Sequence, residues 1–219
     1  MIRAALFDMD GTLIDTERAG FAYHRARCAE LGLTMTQPFF GSLMGRSWEE
    51  ISAMINAEFD GRYEWMPNCL ACLNHLMELV ERGEIPLRPG AAECLSELRR
   101  MGVKIGLVTT TPVWQVEKYL RHIPALQNAF DAMVRGEESP KRKPAPDPFL
   151  LCAEKLGVSP AECVGVEDGA AGLQAIRAAG MTSVFVPDLL PLSDAIRPNV
   201  DVVLESLHDL PGLIAGRDA

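Results

Sequence analysis

Two aspartates one residue apart follow the first apolar run, in the segment Ala4-Ala5-Leu6-Phe7-Asp8-Met9-Asp10-Gly11. Because side chains alternate between the two faces of a strand, Asp8 and Asp10 are expected to project to the same side. Two carboxylates this close repel each other unless a cation lies between them or one is protonated. Gly11 permits a sharp turn that keeps the pair at the strand tip. The pair indicates metal binding or acid–base chemistry, and a solvated Asp-Gly turn is the alternative.

A second polar strand end is Thr109-Thr110-Thr111-Pro112, which follows a buried apolar run. We expect a helix whose first turn contains Pro112 and whose cap is Thr111. Hydroxyls together with free amides at a helix start can bind a phosphate group. Ordinary capping by threonine is the alternative for this segment taken alone.

The third candidate is a stiff loop with four prolines that carries Lys141, Arg142 and Lys143 in succession. A cation held in place can neutralise a phosphate and two carboxylates without a large ordering cost. For Lys141 and Arg142 we favour the alternative, a solvated basic loop.

The fourth candidate is the acidic pair Glu167 and Asp168, which ends the apolar run that begins at Cys163. Close to the first pair, these acids would complete an oxygen-rich site of the kind that Mg²⁺ prefers. Acids at a helix N-terminus also have a capping explanation.

The elements that must position these residues alternate along the chain. Apolar runs predict six strands, at Arg3 to Phe7, Val103 to Val108, Asp131 to Val134, Cys163 to Val166, Ser183 to Val186 and Asp201 to Leu204. Helical patterns intervene at Ala91–Met101, Pro112–His122, Phe149–Leu156 and Ala170–Ala179. The alternation predicts an α/β fold with a doubly wound, mostly parallel, Rossmann-like sheet. In such sheets, functional residues lie at the carboxyl ends of the strands.

One segment interrupts this alternation. From Thr16 to about Gly83 there is no convincing strand pattern, and helices are predicted at Thr16–Leu31, Trp48–Phe59 and Asn68–Arg82. The stretch that follows, Glu84 to Gly90, contains two prolines and a glycine, as a linker would. We therefore predict a small helical cap domain at 16–85, inserted into a core domain that comprises 1–15 and 86–219.

The composition limits the possible partners. The chain has 219 residues and a formal net charge of -9, which argues against nucleic acid or an anionic membrane as the main partner. No apolar run reaches membrane-spanning length, and no signal peptide is evident. We expect a cytoplasmic monomer that acts on a small molecule.

The six cysteines are expected to be reduced thiols. Cys69 and Cys72, followed by His75, have the spacing of a metal or redox site, but no second ligand pair accompanies them. We therefore expect packed cysteines on one face of a helix.

Taken together, the four strand ends resemble the haloacid dehalogenase superfamily, in particular its phosphatase-like branch with a helical cap after the first motif. The matching residues are Asp8-Met9-Asp10-Gly11-Thr12-Leu13-Ile14-Asp15, Thr109, Lys143-Pro144-Ala145-Pro146-Asp147 and Glu167-Asp168-Gly169-Ala170-Ala171-Gly172. The resemblance covers essentially the whole chain, and the cap is its least specific part.

The resemblance implies a Mg²⁺-dependent phosphomonoester hydrolase that acts on a small phosphorylated metabolite such as a sugar phosphate. Asp8 would attack phosphorus and form an aspartyl-phosphate, and Asp10 would act as acid and then base. Thr109 and Lys143 would bind the phosphoryl oxygens as catalytic residues, with Thr110 as a further substrate contact. The metal ligands would be Asp8, the Asp10 carbonyl and Asp168, with Glu167 nearby.

Related chemistries are weighed against the same residues. Asp10 disfavours dehalogenation, and the absence of lysine between Thr16 and Gly83 disfavours phosphonate cleavage through a Schiff base. A sugar-phosphate mutase similar to β-phosphoglucomutase stays the main alternative. Gly20 stands where that enzyme has its cap histidine, and His24 comes one helical turn later. A non-catalytic binding module is a remote alternative, because every catalytic position is present.

Arg46, between two predicted cap helices in Gly45-Arg46-Ser47, is a candidate contact for the non-reacting end of the substrate. The alternative is a surface arginine that precedes a helix capped by Ser47.

Overall fold

The computed structural model describes residues 1–44, 46 and 48–217 and contains a parallel six-stranded sheet. The strand order is β3-β2-β1-β4-β5-β6. The strands are β1 (Ala4–Phe7), β2 (Lys104–Thr109), β3 (Ala132–Arg135), β4 (Cys163–Glu167), β5 (Thr182–Phe185) and β6 (Val202–Val203). The predicted strands lie within two residues of these bounds, and the predicted parallel, doubly wound sheet is confirmed.

The central strand β1 is buried on both faces. Ala5 and Phe7 belong to one apolar cluster, and Ala4 and Leu6 belong to another on the opposite face. The chain adds β2 and β3 on one side of β1 and then returns to add β4 on the other side. Strand order therefore reverses at β1, and the carboxyl ends of β1 and β4 border the crevice where such folds bind ligands.

Nine α-helices lie within the described residues. They are α1 (Thr16–Glu30), α2 (Gln37–Ser42), α3 (Trp48–Phe59), α4 (Trp65–Glu81), α5 (Ala91–Arg100), α6 (Val113–His122), α7 (Asp147–Leu156), α8 (Ala170–Ala178) and α9 (Leu210–Arg217). The short helices α2 and α9 were not predicted. In α2, a proline lies in the first turn and Thr36 accepts the capping hydrogen bond from the Phe39 amide at 3.3 Å.

The predicted start of α6 is wrong. The helix begins at Val113, Pro112 occupies the N-cap position, and no side chain caps the helix. The Thr111 hydroxyl instead donates a hydrogen bond to the carboxylate of Asp10. The Thr111 hydroxyl is therefore engaged by a residue distant in sequence and does not cap the helix.

The helical segment leaves and rejoins the sheet at one place. The Asp15 amide donates to the Pro86 carbonyl at 2.9 Å, and the Arg88 amide donates to the Leu13 carbonyl at 2.9 Å. Both ends of residues 16–85 therefore lie side by side. The segment contributes most of a separate apolar cluster, and Leu189 also joins that cluster.

Helix α4 packs beside α6, and Lys118 of α6 lies 2.7 Å from Glu81 of α4. None of the helices in the described part of the chain is long and apolar enough to cross a membrane.

Candidate active site

Lys143 lies between two carboxylates at the carboxyl edge of the sheet. Its Nζ is 2.6 Å from Asp8 Oδ1 and 2.6 Å from Glu167 Oε1. The lysine side chain is 5% exposed and lies over the ring of Phe149. Asp8 follows β1, Glu167 ends β4, and Lys143 comes from the loop before α7, so three sequence-predicted residues meet at one point.

Burial and charge act in opposite directions on these groups. Burial raises the pKa of Asp8 to about 7, and the neighbouring Lys143 only partly offsets this. Burial also disfavours the charged form of Lys143, but Asp8 and Glu167 outweigh it and raise the pKa of the lysine. Lys143 is therefore protonated and keeps its positive charge beside Asp8.

Asp168 provides a third carboxylate in the same cluster. Its Oδ1 accepts a hydrogen bond from the Thr12 hydroxyl at 2.7 Å. Burial, together with the charges of Glu167 and Asp8, raises the pKa of Asp168 well above its usual range. Burial and the neighbouring carboxylates therefore both disfavour the ionised form of Asp168.

The acidic cluster has the donor set of a hard cation. Asp8, Glu167 and Asp168 each offer one oxygen, and the three oxygens lie within 4.8 Å of one another. All three donors are carboxylate oxygens, which suit Mg²⁺, and the raised pKa values of Asp8 and Asp168 indicate that a further positive charge would be favourable. The residues therefore fit a divalent cation.

Two glycines make room for these acids. A Cβ on Gly172, in α8, would lie 1.8 Å from Glu167 Oε1. A Cβ on Gly11 would lie 2.5 Å from Asp168 Oδ2, and Gly11 has a φ of 81°. Glu167 is also held by the Gly169 amide, which donates to Oε2 at 2.8 Å. Gly11 in the first motif and Gly172 in the last motif are therefore required, because a larger residue would overlap Asp168 or Glu167.

The carboxylate of Asp10 is surrounded by hydroxyl donors. Thr16 donates to Oδ1 at 2.7 Å, Thr111 donates to Oδ2 at 2.5 Å, and Tyr119 donates to Oδ1 at 3.3 Å. This carboxylate is not one of the three that form the acidic cluster. The assignment of the Asp10 carbonyl as a metal ligand stays a prediction.

The threonines after β2 differ in their environments. Thr109 is buried, and its hydroxyl donates to Thr111 Oγ1 at 3.0 Å and accepts from the Thr111 amide at 3.1 Å. A chain of contacts thus runs from Thr109 through Thr111 to Asp10. Thr110 is exposed. The phosphate-binding roles of Thr109 and Thr110 stay predictions.

Arg46 contacts other residues of the helical segment. Its Nε donates to the Ser42 carbonyl at 2.7 Å, and Nη1 lies 3.9 Å from Glu50 Oε1. None of the described contacts of Arg46 is with the acidic cluster, so its substrate role stays a prediction. Gly45 and Ser47 lie outside the described residues, and with them the predicted cap at Ser47.

His24 lies in the apolar interior of the helical segment. Its Nδ1 is 2.6 Å from the hydroxyl of Tyr63, and its ring stacks on Trp65 with centroids 4.7 Å apart. Burial lowers the pKa of His24 to about 4, so the imidazole is neutral. These contacts account for the histidine without a catalytic role.

Cys69 and Cys72 lie on α4 as free thiols, Cys72 buried and Cys69 partly buried, as predicted for packed cysteines. Lys141 and Arg142 are exposed, also as predicted.

Sequence reasoning missed several residues around Asp8 and Asp10. Thr12 lies in the first motif and Thr16 begins the predicted helix after it, but neither had an assigned contact, and Glu17 was not considered. Burial, followed by the charges of Asp10 and Asp188, raises the pKa of Glu17 to about 8. The proximity of Tyr119 to Asp10 had no local signal, because 109 positions separate the two residues.

The fold and the acidic cluster define a class of enzyme in which a Rossmann-like sheet gathers carboxylates and a lysine at its strand ends. The model of the haloacid dehalogenase-like hydrolases matches residues 2–180. The chain belongs to the haloacid dehalogenase-like hydrolase family, as the motifs predicted.

Similar proteins include hexitol phosphatase B of Escherichia coli K12, which is 33% identical over 216 residues (95% of this chain and 94% of that protein). β-Phosphoglucomutase of Bacillus subtilis is 31% identical over 217 residues (95% of each chain). The crystal structure of CbbY from Rhodobacter sphaeroides in complex with phosphate superimposes with a TM-score of 0.76, 29% identity and 96% coverage of each chain. The protein is therefore an enzyme of the phosphatase branch of this family.

Proposed function

We propose that this enzyme hydrolyses a small sugar phosphate or sugar-alcohol phosphate with Mg²⁺, through an aspartyl-phosphate on Asp8. The observation that supports it most is the buried lysine Nζ at 2.6 Å from both Asp8 Oδ1 and Glu167 Oε1, beside Asp168. A cation at this point can offset the charge of a carboxylate nucleophile and of an incoming phosphate.

Asp8, Asp168 and Glu167, with the Asp10 carbonyl, would hold the metal. When bound, Mg²⁺ supplies positive charge that favours the ionised carboxylates and the phosphoryl oxygens. Lys143 and Thr109 would hold the phosphoryl oxygens, with Thr110 as a further contact.

The proposed reaction has two steps at Asp8. First, a carboxylate oxygen of Asp8 attacks phosphorus, the bond from phosphorus to the ester oxygen breaks, and Asp10 gives its proton to that oxygen. In the second step, Asp10 takes a proton from water, the water oxygen attacks the aspartyl-phosphate, and phosphate leaves with the Asp8 carboxylate restored. The separate hydrogen-bond environment of Asp10 supports its separate role.

Residues 16–85 are proposed as a cap that covers the substrate and excludes water. Their two ends meet at the paired backbone of Asp15 and Pro86, a narrow connection that suits a hinge. The name of hexitol phosphatase B, which is similar along nearly the whole chain, supports a polyol phosphate as substrate.

The test is a phosphate-release screen with hexitol phosphates and hexose phosphates, with and without Mg²⁺. We expect release that depends on Mg²⁺ and is lost in Asp8→Asn, whereas Asp194→Asn, which changes an exposed aspartate, retains it. Phosphate release by folded Asp8→Asn would overturn the mechanism.

A mutase is tested in the same preparation. Glucose 1-phosphate with a trace of the bisphosphate should give free phosphate if water is the acceptor. Formation of the isomeric sugar phosphate instead would overturn hydrolysis. The neutral, buried His24 and the glycine at position 20 support hydrolysis.

A further inference from the structure

Helix α6 carries two polar side chains that the proposed reaction does not yet use. Tyr119 is fully buried within the main apolar cluster, and its hydroxyl reaches Asp10 Oδ1 at 3.3 Å. Gln115, one helical turn earlier, donates from Nε2 to the same tyrosine hydroxyl at 2.5 Å. The two residues connect the helix to the carboxylate proposed as acid and base.

The direction of the two hydrogen bonds, from Gln115 to Tyr119 and from Tyr119 to Asp10, follows from the amide group of Gln115. An amide nitrogen can only donate, so the tyrosine oxygen accepts from Gln115 and its own proton is free for Asp10. Burial raises the pKa of Tyr119 above its usual value, so the phenol keeps that proton. A buried phenol without an acceptor would be destabilising, and Asp10 is the acceptor the structure provides.

We propose that Gln115 and Tyr119 form a positioning pair that orients the Asp10 carboxylate for proton exchange with the leaving oxygen and with water. Thr16 and Thr111 donate to the same carboxylate from two other elements, the start of α1 and the loop after β2. Three donors from three directions restrict rotation of the carboxylate. Because small displacements of an acid or base lower rates strongly, loss of one donor should slow proton transfer.

The inference depends on the proposed role of Asp10, and a matched pair of substrates tests it. Phenyl phosphate and p-nitrophenyl phosphate have similar shapes, but p-nitrophenolate leaves readily without a proton and phenolate does not. Single-turnover release of the leaving group, with enzyme in excess over substrate, measures the first step alone. Tyr119→Phe retains the buried ring and removes only the hydroxyl.

We expect Tyr119→Phe to slow release of phenol by about tenfold, whereas release of p-nitrophenolate changes by less than about twofold. Steady-state turnover of both substrates should fall, because water attack also needs Asp10 as base. KM should change little, since the phosphate contacts are retained. A structural defect would slow both leaving groups by the same factor.

Tyr63→Phe is the matched control, because Tyr63 is equally buried and its hydroxyl pairs with His24 instead of Asp10. It should lower stability without changing the ratio of the two release rates. Gln115→Leu should also slow release of phenol more than release of p-nitrophenolate. If Tyr119→Phe does not fold, the ratio of these two rates in Gln115→Leu tests the proposal.

If Tyr119→Phe slows release of phenol and of p-nitrophenolate equally, or slows neither, the proposal that Gln115 and Tyr119 position Asp10 is wrong. Failure of the wild-type enzyme to release phosphate from any phosphomonoester would overturn the proposed function instead.

Discussion

Lys143 contacts Asp8 and Glu167 at equal distances, and its neighbour Lys141 is exposed only two positions away. The difference between them is burial. Removal of the buried Lys143 leaves the charges of two buried carboxylates without a partner. Removal of an exposed lysine costs little, because water and dissolved ions solvate the neighbouring charges.

We predict that Lys143→Gln lowers kcat by about a thousandfold and destabilises the fold by about 3 kcal/mol. The rate should fall because, in the proposed mechanism, Lys143 is the cation shared by Asp8 and the phosphate. Steady-state kinetics and urea denaturation measure the two effects. Lys141→Gln is the control, and equal losses in both variants would contradict this explanation.

The raised pKa of Glu17 predicts a pH effect on stability. Between its usual pKa of 4.5 and the raised pKa of about 8, the folded protein retains a proton on Glu17 that the unfolded chain has lost. The contribution of Glu17 to the free energy of unfolding therefore falls as pH rises through this window. Since the side chain is still partly accessible to water, the effect should be modest.

Glu17→Gln should therefore raise Tm by about 2 to 4 °C at pH 8.5 and leave it unchanged at pH 4. Thermal unfolding in a chelator at both values of pH checks this. Glu30→Gln removes an exposed carboxylate from the same helix and serves as the control. An equal gain at pH 4 would show that ionisation of Glu17 is not the cause.

At the scale of elements, the helices that follow the strands fix the acids as much as the strands do. Helix α8 approaches Glu167 so closely that only a glycine fits at position 172, and α6 brings Tyr119 to Asp10. The packing of a helix on the sheet therefore determines which carboxylate oxygens are free.

We predict that Gly172→Ala abolishes most activity and lowers stability, because the added methyl group must displace Glu167 from Lys143. Gly212→Ala, in α9, meets no heavy atom within 4 Å and should be neutral or stabilising by up to about 1 kcal/mol. Phosphate release and thermal unfolding of the two variants measure the contrast. Normal activity in Gly172→Ala would show that Glu167 can move without loss.

At the scale of the whole molecule, a protein with a formal net charge of -9 gathers three of its acids, Asp8, Glu167 and Asp168, at one strand edge. Lys143 neutralises only part of this charge. The folded state should therefore gain stability from a divalent cation that the unfolded chain binds weakly.

We predict that Mg²⁺ raises Tm by several degrees. At a Mg²⁺ concentration about a hundred times the dissociation constant, the free energy of unfolding should increase by about 2.7 kcal/mol. The shift should be much smaller in Asp168→Asn, because one donor oxygen loses its charge. Differential scanning fluorimetry with chelator and with added Mg²⁺ checks this. A full shift in Asp168→Asn would mean that the cation binds elsewhere.

The sequence by itself determined the periodicity of the strands and helices, and with it the parallel sheet and its functional edge. Apolar runs that end in Asp8, Thr109 and Glu167 are local signals, and their order along the chain indicated the family. The short helix α2 escaped prediction because six residues carry too little periodicity. The cap at Thr111 was predicted wrongly because a local rule cannot include an acceptor 101 positions away, here Asp10.

Only the tertiary structure decided which polar groups meet. Lys143 and Asp8 are 135 positions apart, yet the fold places the loop before α7 beside the end of β1 and brings the two side chains to 2.6 Å. The lysine could be predicted because its motif is recognisable, but Tyr119 and Gln115 resemble any helical residues until α6 packs against the sheet. Sequence patterns specify local conformation and burial, whereas hydrogen-bond partners depend on how distant elements pack.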